Sequence, residues 1–150
     1  MGVKLVKPTS PGRRKSSFQD FSDIKKVKPF KSLSVIKKKT SGRNNQGKIT
    51  VRHRGGGVKR YLRLVDWKRD KFDIPGRVVR LEYDPNRGPR LALVQYPDGE
   101  RRYIIAPLDL KVNETVVSSL KQIDIKPGNA LPLQYIPAGV AVHNVELEPG

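Results

Sequence analysis

The most regular pattern in the chain is a series of short apolar segments, each about ten residues from the next and separated by turn residues. Strands are predicted at residues 61–67, 77–83, 90–96, 101–106 and 112–118. Strong turn sequences, DPNRGP at 84–89 and PDG at 97–99, separate the middle strands. Five short strands at this spacing predict a small OB-like barrel, a fold often used to hold nucleic acid.

Side-chain alternation assigns the inward faces of these strands. Val79, Leu81 and Tyr83 share one face of the 77–83 strand. The next strand is largely apolar, and Ile104 shares a face with Arg102 and Ala106 on the strand after that. The predicted core residues are Val79, Leu81, Leu93, Val94 and Ile104.

The stretch from 42 to 69 has a different character, with nine Lys or Arg residues and a single acid, Asp66. Within it, residues 48–54 are predicted as a strand whose one face is cationic, since Lys48, Thr50, Arg52 and Arg54 would point the same way. Three glycines, Gly55, Gly56 and Gly57, follow, and glycine permits positive φ and close backbone approach. A cationic strand beside a turn without side chains favours a crowded polyanionic partner. The alternative is a solvated basic hairpin with a flexible tip.

Charge is distributed unevenly along the 150 residues, which carry 31 basic and 14 acidic side chains and a net charge of +17. Residues 1–60 contribute +16, residues 61–90 contribute +3 and residues 91–150 contribute −2. This asymmetry indicates a nucleic-acid-binding arm attached to an ordinary folded body. A membrane-surface role would favour a long amphipathic basic helix, which the prolines and glycine near the N-terminus disfavour.

The two ends of the chain read differently from the middle. Residues 1–47 have sparse apolar residues without a sustained period, and we expect an extended basic arm that orders against a partner. Residues 48–120 are predicted to form the OB-like, nucleic-acid-binding barrel. Residues 121–150 are interrupted by prolines, with candidate strands at 129–134 and 141–148, and two strands do not make an independent domain.

The sequence gives little support for a catalytic or metal site. Residues 42–48 match a phosphate-binding loop as far as Lys48, but Ile49 follows where that motif requires Ser or Thr, and a strand follows rather than a helix. Residues 118–121 match a short Ser/Lys pattern without its companion motifs. There is no cysteine, so a His/Cys zinc site is excluded. We predict no catalytic residue, no metal and no cofactor.

Candidate nucleic-acid-binding residues are cations of the arm and of the basic stretch, the polar and glycine residues among them, and one arginine of the 84–89 turn. They are Arg13, Arg14, Lys15, Lys37, Lys38, Lys39, Arg43, Asn44, Lys48, Arg52, His53, Arg54, Gly55, Gly56, Gly57, Lys59, Arg60, Arg63, Lys68, Arg69 and Arg87.

Several motifs, in order along almost the whole chain, resemble the large-subunit ribosomal protein two family of bacterial or organellar type, in its N-terminal portion. They are GRN at 42–44, GKITVRHRGGG at 47–57, EYDPNR at 82–87, DGERRYI at 98–104, AP at 106–107, IKPGNALPL at 125–133 and HNVEL at 143–147. Val58 departs from the pattern, because the family usually has histidine after the three glycines.

The resemblance implies an OB-like barrel, an SH3-like barrel and basic extensions that bind large-subunit ribosomal RNA. It also implies that residues 121–150 are a linker followed by the first strands of a truncated SH3-like barrel, so that this sequence is a fragment or one half of a split protein. The expected partners are the ribosomal RNA, neighbouring ribosomal proteins, the missing C-terminal half and, as a further candidate, the small subunit. No membrane partner is expected, and the expected location is the cytoplasmic ribosome of a bacterium or an organellar ribosome.

The function expected from these observations is that of a structural constituent of the large ribosomal subunit, which binds its RNA. The resemblance adds support of subunit assembly, subunit association and the peptidyl-transferase region. The alternative is a free-standing OB-fold factor of translation or RNA metabolism. Such transient binders usually expose aromatic stacking surfaces. Aromatic residues are scarce in the most basic arm, which favours permanent packing against phosphates.

Overall fold

The computed structural model describes residues 2–22, 24 and 26–148; the outermost residues of the predicted arm and of the predicted second-barrel segment lie outside this part. The chain is mainly β, with no α-helix in the described residues and short 3-10 turns at Pro11–Arg13, Lys31–Leu33 and Leu133–Tyr135. The described part contains no helix with the length and apolar character of a membrane span. Its strands are β1 (Val3–Leu5), β2 (Ser17–Gln19), β3 (Ser34–Lys37), β4 (Arg60–Arg63), β5 (Gly76–Glu82), β6 (Leu91–Gln95), β7 (Arg101–Ile105) and β8 (Thr115–Val116).

The strands form three antiparallel sheets. β1 pairs with β2, β3 pairs with β4, and the largest sheet has the order β7-β6-β5-β8. Val65 forms a parallel bridge to Tyr103, so the chain leaving β4 lies along the outer edge of β7. The four-stranded sheet curls into a half-barrel, which confirms the mainly β, OB-like fold class.

The central strand β6 explains why the sheet has a layer on each side. Its residues Ala92 and Val94 enter one core with Val78, Tyr96, Ile104, Leu110 and Val116. Leu91 and Leu93 point the other way and pack with Tyr103 against Phe30, Leu33, Val65 and Ile105. A strand buried on both faces reads as a continuous apolar run, as the sequence LALV does. Residues near 30–33 therefore belong to the folded body.

A β-bulge in β5 changes the predicted inward face. The register with β6 shifts between Val78 and Arg80. An extra residue in one strand reverses which side chains point inward on the two sides of the bulge. Val78 is fully buried and Val79 is only half-buried, so the prediction that Val79 lies in the core was wrong. Leu93, Val94 and Ile104 are buried as predicted, and the partly buried Leu81 packs against the core.

The strand predicted at 48–54 does not form. Ile49 makes a single antiparallel bridge to Arg43, and residues 51–53 turn instead of continuing. The alternating side chains had no neighbouring strand to pair with, and period-2 alternation alone does not hold an extended segment. The separation into a cationic and an apolar face is therefore also lost, and Ile49 and Val51 are both exposed.

The described residues between 2 and 47 are largely irregular, but they contain strands that were not predicted. β1 and β2 form a small exposed hairpin, and β3 pairs with β4 from Ser34 opposite Arg63 to Lys37 opposite Arg60. The last part of the predicted arm is thus hydrogen-bonded to the strand that follows the triple glycine.

The C-terminal strands predicted at 129–134 and 141–148 are also absent from the described residues. Ala130 only bridges Ser118, with backbone bonds Ser119 N to Ala130 O of 3.0 Å and Ala130 N to Val117 O of 3.0 Å. A 3-10 turn follows Pro132, and residues 137–148 are exposed without a neighbouring strand. Proline removes a ladder donor and ends the extended segment.

Two valines on adjacent strands test whether the bulge determines which side chains of β5 are buried. Val94→Ala removes fully buried methyl groups and should lower the free energy of unfolding by about 2 kcal/mol or more. Val79→Ala, on the half-buried side of the bulge, should cost clearly less. Denaturant unfolding of both variants measures the difference, and equal losses would show that the bulge does not set the face.

Candidate RNA interface

The β3–β4 hairpin presents most of the candidate residues at one end. Lys37 and Arg60 are its last pair, and the intervening residues 38–59, here called the basic loop, contain seven Lys or Arg and no acid. Those seven are exposed: Lys38, Lys39, Arg43, Lys48, Arg52, Arg54 and Lys59. A concentration of exposed cations without acids creates a strong local positive potential.

Backbone and side-chain hydrogen bonds give the basic loop a definite shape. The Gly42 carbonyl accepts from Thr50 N at 2.9 Å and from Val51 N at 3.1 Å. Asn44 closes a tight turn, because its Oδ1 accepts from Lys48 N at 2.9 Å and its carbonyl from Gly47 N at 3.0 Å. Glycine at 42 is required, since φ is +69° and a Cβ would lie 2.3 Å from the Val51 carbonyl oxygen. The predicted site residue Asn44 therefore shapes the loop.

The triple glycine folds back over the start of the loop. Lys39 Nζ donates to the Gly56 carbonyl at 3.0 Å, and a Cβ on Gly56 would lie 2.6 Å from Ser41 Oγ. Gly57 has a φ of +64°, which favours glycine. Gly55 differs from both, because its φ is ordinary and a Cβ there would meet nothing within 4 Å. Close approach at Gly56 is thus to the loop itself, and Gly55 is the one of the three where a side chain would meet neither a neighbouring atom within 4 Å nor a positive φ.

His53 lies at the turn between the two exposed arginines. Its φ of +60° is uncommon for a residue with a side chain. Together with Arg43, Arg52, Arg54 and Gly55 it borders an open depression of about 540 Å³. The loop thus offers a concave surface to which three arginines contribute, together with polar, apolar and glycine residues.

A fully buried carboxylate, Asp84, connects the hairpin to the barrel. Its Oδ2 accepts from Arg87 NH1 at 2.6 Å, and its Oδ1 lies 3.6 Å from NH1 of the buried Arg63 on β4. The backbone N–H of Asn86 also donates to Asp84 Oδ1, at 2.9 Å. Buried charges require such partners, because an unpaired one costs several kcal/mol.

The turn at residues 84–87 is also hydrogen-bonded to β4. Asn86 Nδ2 donates to the Tyr61 carbonyl at 2.8 Å, and Arg60 NH1 donates to the Pro85 carbonyl at 2.8 Å. The 84–87 turn therefore holds the strand on which the basic loop ends.

A second tie holds the segment that precedes the hairpin. The buried Tyr103 hydroxyl donates to Glu82 Oε2 at 2.9 Å and accepts from Phe30 N at 2.8 Å. Arg80 donates through Nε to Glu82 Oε1 at 2.6 Å. Burial raises the pKa of the Tyr103 hydroxyl, which therefore stays a donor. The β3–β4 hairpin is therefore attached to the four-stranded sheet at two points, through Phe30 before β3 and through the 84–87 turn at β4.

The segment after β4 is fixed by ion pairs. Arg102 bonds Asp66 Oδ2 at 3.0 Å and also pairs with Asp70 and Glu100, while Lys71 pairs with Asp98 and Glu100. Hydrogen bonds from Arg102 hold the pKa of Asp70 and of Glu100 below their usual values. The carboxylates of Asp66, Asp70, Asp98 and Glu100 thus neutralise Arg102 and Lys71 of the barrel and not the cations of the basic loop.

The predicted site residues divide into three groups. Most lie on or next to the basic loop. Arg13, Arg14 and Lys15 lie at the tip of the separate β1–β2 hairpin, and Lys68 is exposed after β4. Arg63, Arg69 and Arg87 have partners inside the fold: Arg69 bonds Ser118 Oγ at 3.0 Å and the Gly128 carbonyl at 3.1 Å, and burial lowers its pKa.

Sequence reasoning missed the residues that hold the loop in place. Asp84 and Asn86 were interpreted only as turn formers, although an acid within a basic chain is the kind of residue that pairs with a buried arginine. Tyr103 and Glu82 gave no local signal, since their pairing joins residues far apart in sequence. Among the described residues, no group of three His, Asp or Glu side chains is placed to hold a metal ion.

Fold and site together define a class: a small, mainly β, OB-like body that presents a dense cationic loop, as nucleic-acid-binding barrels do. Residues 30–118, more than half of the chain, match the family described as ribosomal proteins L2, RNA-binding N-terminal domain. The chain therefore belongs to the ribosomal protein L2 family and corresponds to its N-terminal portion. This is a structural RNA-binding family of the ribosome rather than a family of enzymes. The match begins at Phe30, the residue tied to Tyr103.

Asp84 can be tested by its effect on stability. Asp84→Asn keeps the shape but leaves the buried Arg63 without a negative partner, and should lower the free energy of unfolding by about 3–5 kcal/mol. Asp124→Asn is the control, because the Asp124–Lys126 pair is exposed and should contribute between about 0 and 1 kcal/mol. Denaturant unfolding measures both variants. An equally small loss of unfolding free energy in the two would contradict a stabilising role for the buried Asp84 carboxylate.

Proposed function

We propose that this chain is a structural constituent of the large ribosomal subunit, which binds large-subunit ribosomal RNA through the basic loop. The observation that carries the proposal is the concentration of exposed cations, without an acid, at the end of a hairpin fastened to the barrel. Family membership supplies the ribosome as the setting. The cations of residues 13–15, 37, 60 and 68 extend the interface beyond the loop.

The bound RNA would be held mainly through its phosphates. Exposed arginines and lysines release condensed counterions when they meet a phosphate backbone, which gives affinity with little dependence on base sequence. Packing of the loop against RNA would support subunit assembly, association of the subunits and the peptidyl-transferase region. We further propose that residues 121–150 lead into an SH3-like barrel formed with the rest of the protein, and that the ribosome is of the bacterial or organellar type.

Sedimentation through a salt gradient tests the ribosomal role. A structural constituent should travel with the large subunit at moderate salt, because many phosphate contacts act together. A free-standing OB-fold factor of translation would instead wash off under the same conditions, and that result would overturn the proposal.

The phosphate contacts can be counted by substitution. Arg52→Ala should make the slope of log affinity against log salt shallower by roughly 0.7–0.9, because one contact and its counterion are lost. Arg77→Ala removes the same charge from the outer face of β5, where Arg77 bonds Asn113, and should leave the slope nearly unchanged. Titrated binding to large-subunit RNA measures both. Equal slopes for the two variants would contradict a specific contact at Arg52.

Gly55 offers a test that leaves the charge unchanged. The free protein has room for a methyl group at Gly55, with nothing within 4 Å, so Gly55→Ala should not affect folding. If RNA approaches the backbone there, affinity should fall several-fold while the salt slope stays the same. Gly88→Ala is the matched control, since it also adds a methyl group in open space but lies in the β5–β6 turn. Parent-like binding by Gly55→Ala would mean that RNA does not approach this backbone closely.

A further inference from the structure

Trp67 is the only tryptophan in the sequence, and 44% of its surface is exposed. Single exposed apolar side chains are common, so exposure alone indicates nothing. Trp67 differs from the other exposed apolar residues that the structure describes because a cation covers one face of its ring. The Arg87 guanidinium lies over the ring, with its central carbon 5.9 Å from the ring centroid. Arg87 is itself held by the buried Asp84 at 2.6 Å. One side of the indole therefore rests on an immobilised cation.

The backbone around Trp67 is fixed as well. Asp66 N donates to the Tyr103 carbonyl at 2.8 Å, and Asp66 Oδ1 accepts from Arg69 N at 3.0 Å. Asp66 Oδ2 accepts from Arg102 at 3.0 Å. Asp66, before the tryptophan, is thus bonded to β7, and Arg69, two residues after it, is bonded to Asp66 and through its side chain to Ser118. A ring held in this way loses little conformational entropy when a partner covers it.

The surroundings select the kind of partner. Lys68 is exposed next to Trp67, and Arg60 is exposed on the strand held by the same 84–87 turn. An apolar protein surface that covered Trp67 would have to desolvate these cations without pairing them, which is unfavourable. A nucleotide matches both features, because its base has a π-face and its phosphate is an anion.

We propose that the exposed face of Trp67 stacks on an unpaired base of the bound RNA, with Arg87 on the opposite side of the ring. This rests on the proposed RNA-binding function and deepens it. The basic loop contacts the phosphates of the RNA, and Trp67 contacts one base outside a duplex. Base stacking on an aromatic side chain is tolerant of sequence, so this contact favours single-stranded RNA at one position rather than one particular base.

Intrinsic fluorescence reports on this contact directly, since Trp67 is the only tryptophan. The full chain is titrated with a large-subunit ribosomal RNA transcript and, separately, with inorganic polyphosphate, an anion without bases. Stacking predicts strong quenching of Trp67 emission by the RNA and little by polyphosphate at equal saturation. Equal quenching by the two polymers, or none by saturating RNA, would overturn the proposal.

Substitutions give an independent readout. Trp67→Ala should weaken RNA binding by about 5- to 150-fold with an unchanged salt slope, because a stacked base is lost and no phosphate contact is lost. Trp67→Phe should recover most of the affinity. Phe72→Ala is the control, because Phe72 is nearly as exposed as Trp67, at 43%, but forms its backbone bridge to Ser118 and is not part of the Trp67–Arg87 pair, and it should bind like the parent. Circular dichroism checks that each variant is folded.

The outcomes separate the two proposals. If the parent protein does not bind large-subunit RNA at all, the proposed function fails and the stacking fails with it. If the parent binds with the expected salt dependence, but Trp67→Ala binds equally well and Trp67 is not quenched, only the stacking fails. A loss of affinity in Trp67→Ala that Trp67→Phe does not recover would also contradict stacking on the ring.

Discussion

The pairing of the buried Asp84 carboxylate with Arg63 and Arg87 is the interaction on which the rest of the interface depends. Arg63 belongs to β4, where the basic loop ends, and Arg87 backs the ring of Trp67. A buried ion pair contributes little net stability over a well-packed apolar contact, but removing one partner is costly. The arrangement therefore makes the position of β4 specific. A β4 displaced from the 84–87 turn would leave Asp84 and Arg63 buried without adequate partners.

Burial of β6 on both faces explains why so basic a segment is folded at all. Leu91 and Leu93 need a cover on the side away from the main core, and Phe30 and Leu33 provide it. The hydrophobic effect thus anchors the chain on the N-terminal side of β3, and hydrogen bonds from Arg60 and Asn86 anchor β4. The mutually repelling cations lie in the loop between these anchors, where water and salt screen them. A loop restrained at both ends has less conformational freedom to lose when RNA binds.

How much of this could be predicted from the sequence follows from how local each signal is. β5, β6 and β7 were predicted closely, because each has its own apolar pattern and the turns between them have characteristic residues. The strand at 48–54 was wrong, because its alternation was local but the pairing it needed was not available. The inward face of β5 was wrong at Val79, because a bulge depends on the partner strand. For the interface, composition located the cations, whereas the pairings of Asp84 with Arg63, of Tyr103 with Glu82 and of Trp67 with Arg87 join residues distant in sequence and appear only in the folded chain.

The exposed cations of the basic loop and the groups bonded to the barrel would contribute differently to recognition. Lysines and arginines of the basic loop, which are exposed and have no acid among them, would supply affinity for any phosphate backbone and would bind many RNAs similarly. Discrimination requires groups whose position does not adapt to the ligand, because only a fixed group penalises a ligand that does not fit. Trp67, between the bonded Asp66 and Arg69, is such a group, and Asn44 and Gly42 give the loop its own shape. An RNA that met the cations but placed no unpaired base at Trp67 would gain the electrostatic part of the binding and lose the stacking part. Specificity for one ribosomal RNA site would thus come from the barrel-anchored residues, although the charge of the chain is concentrated elsewhere.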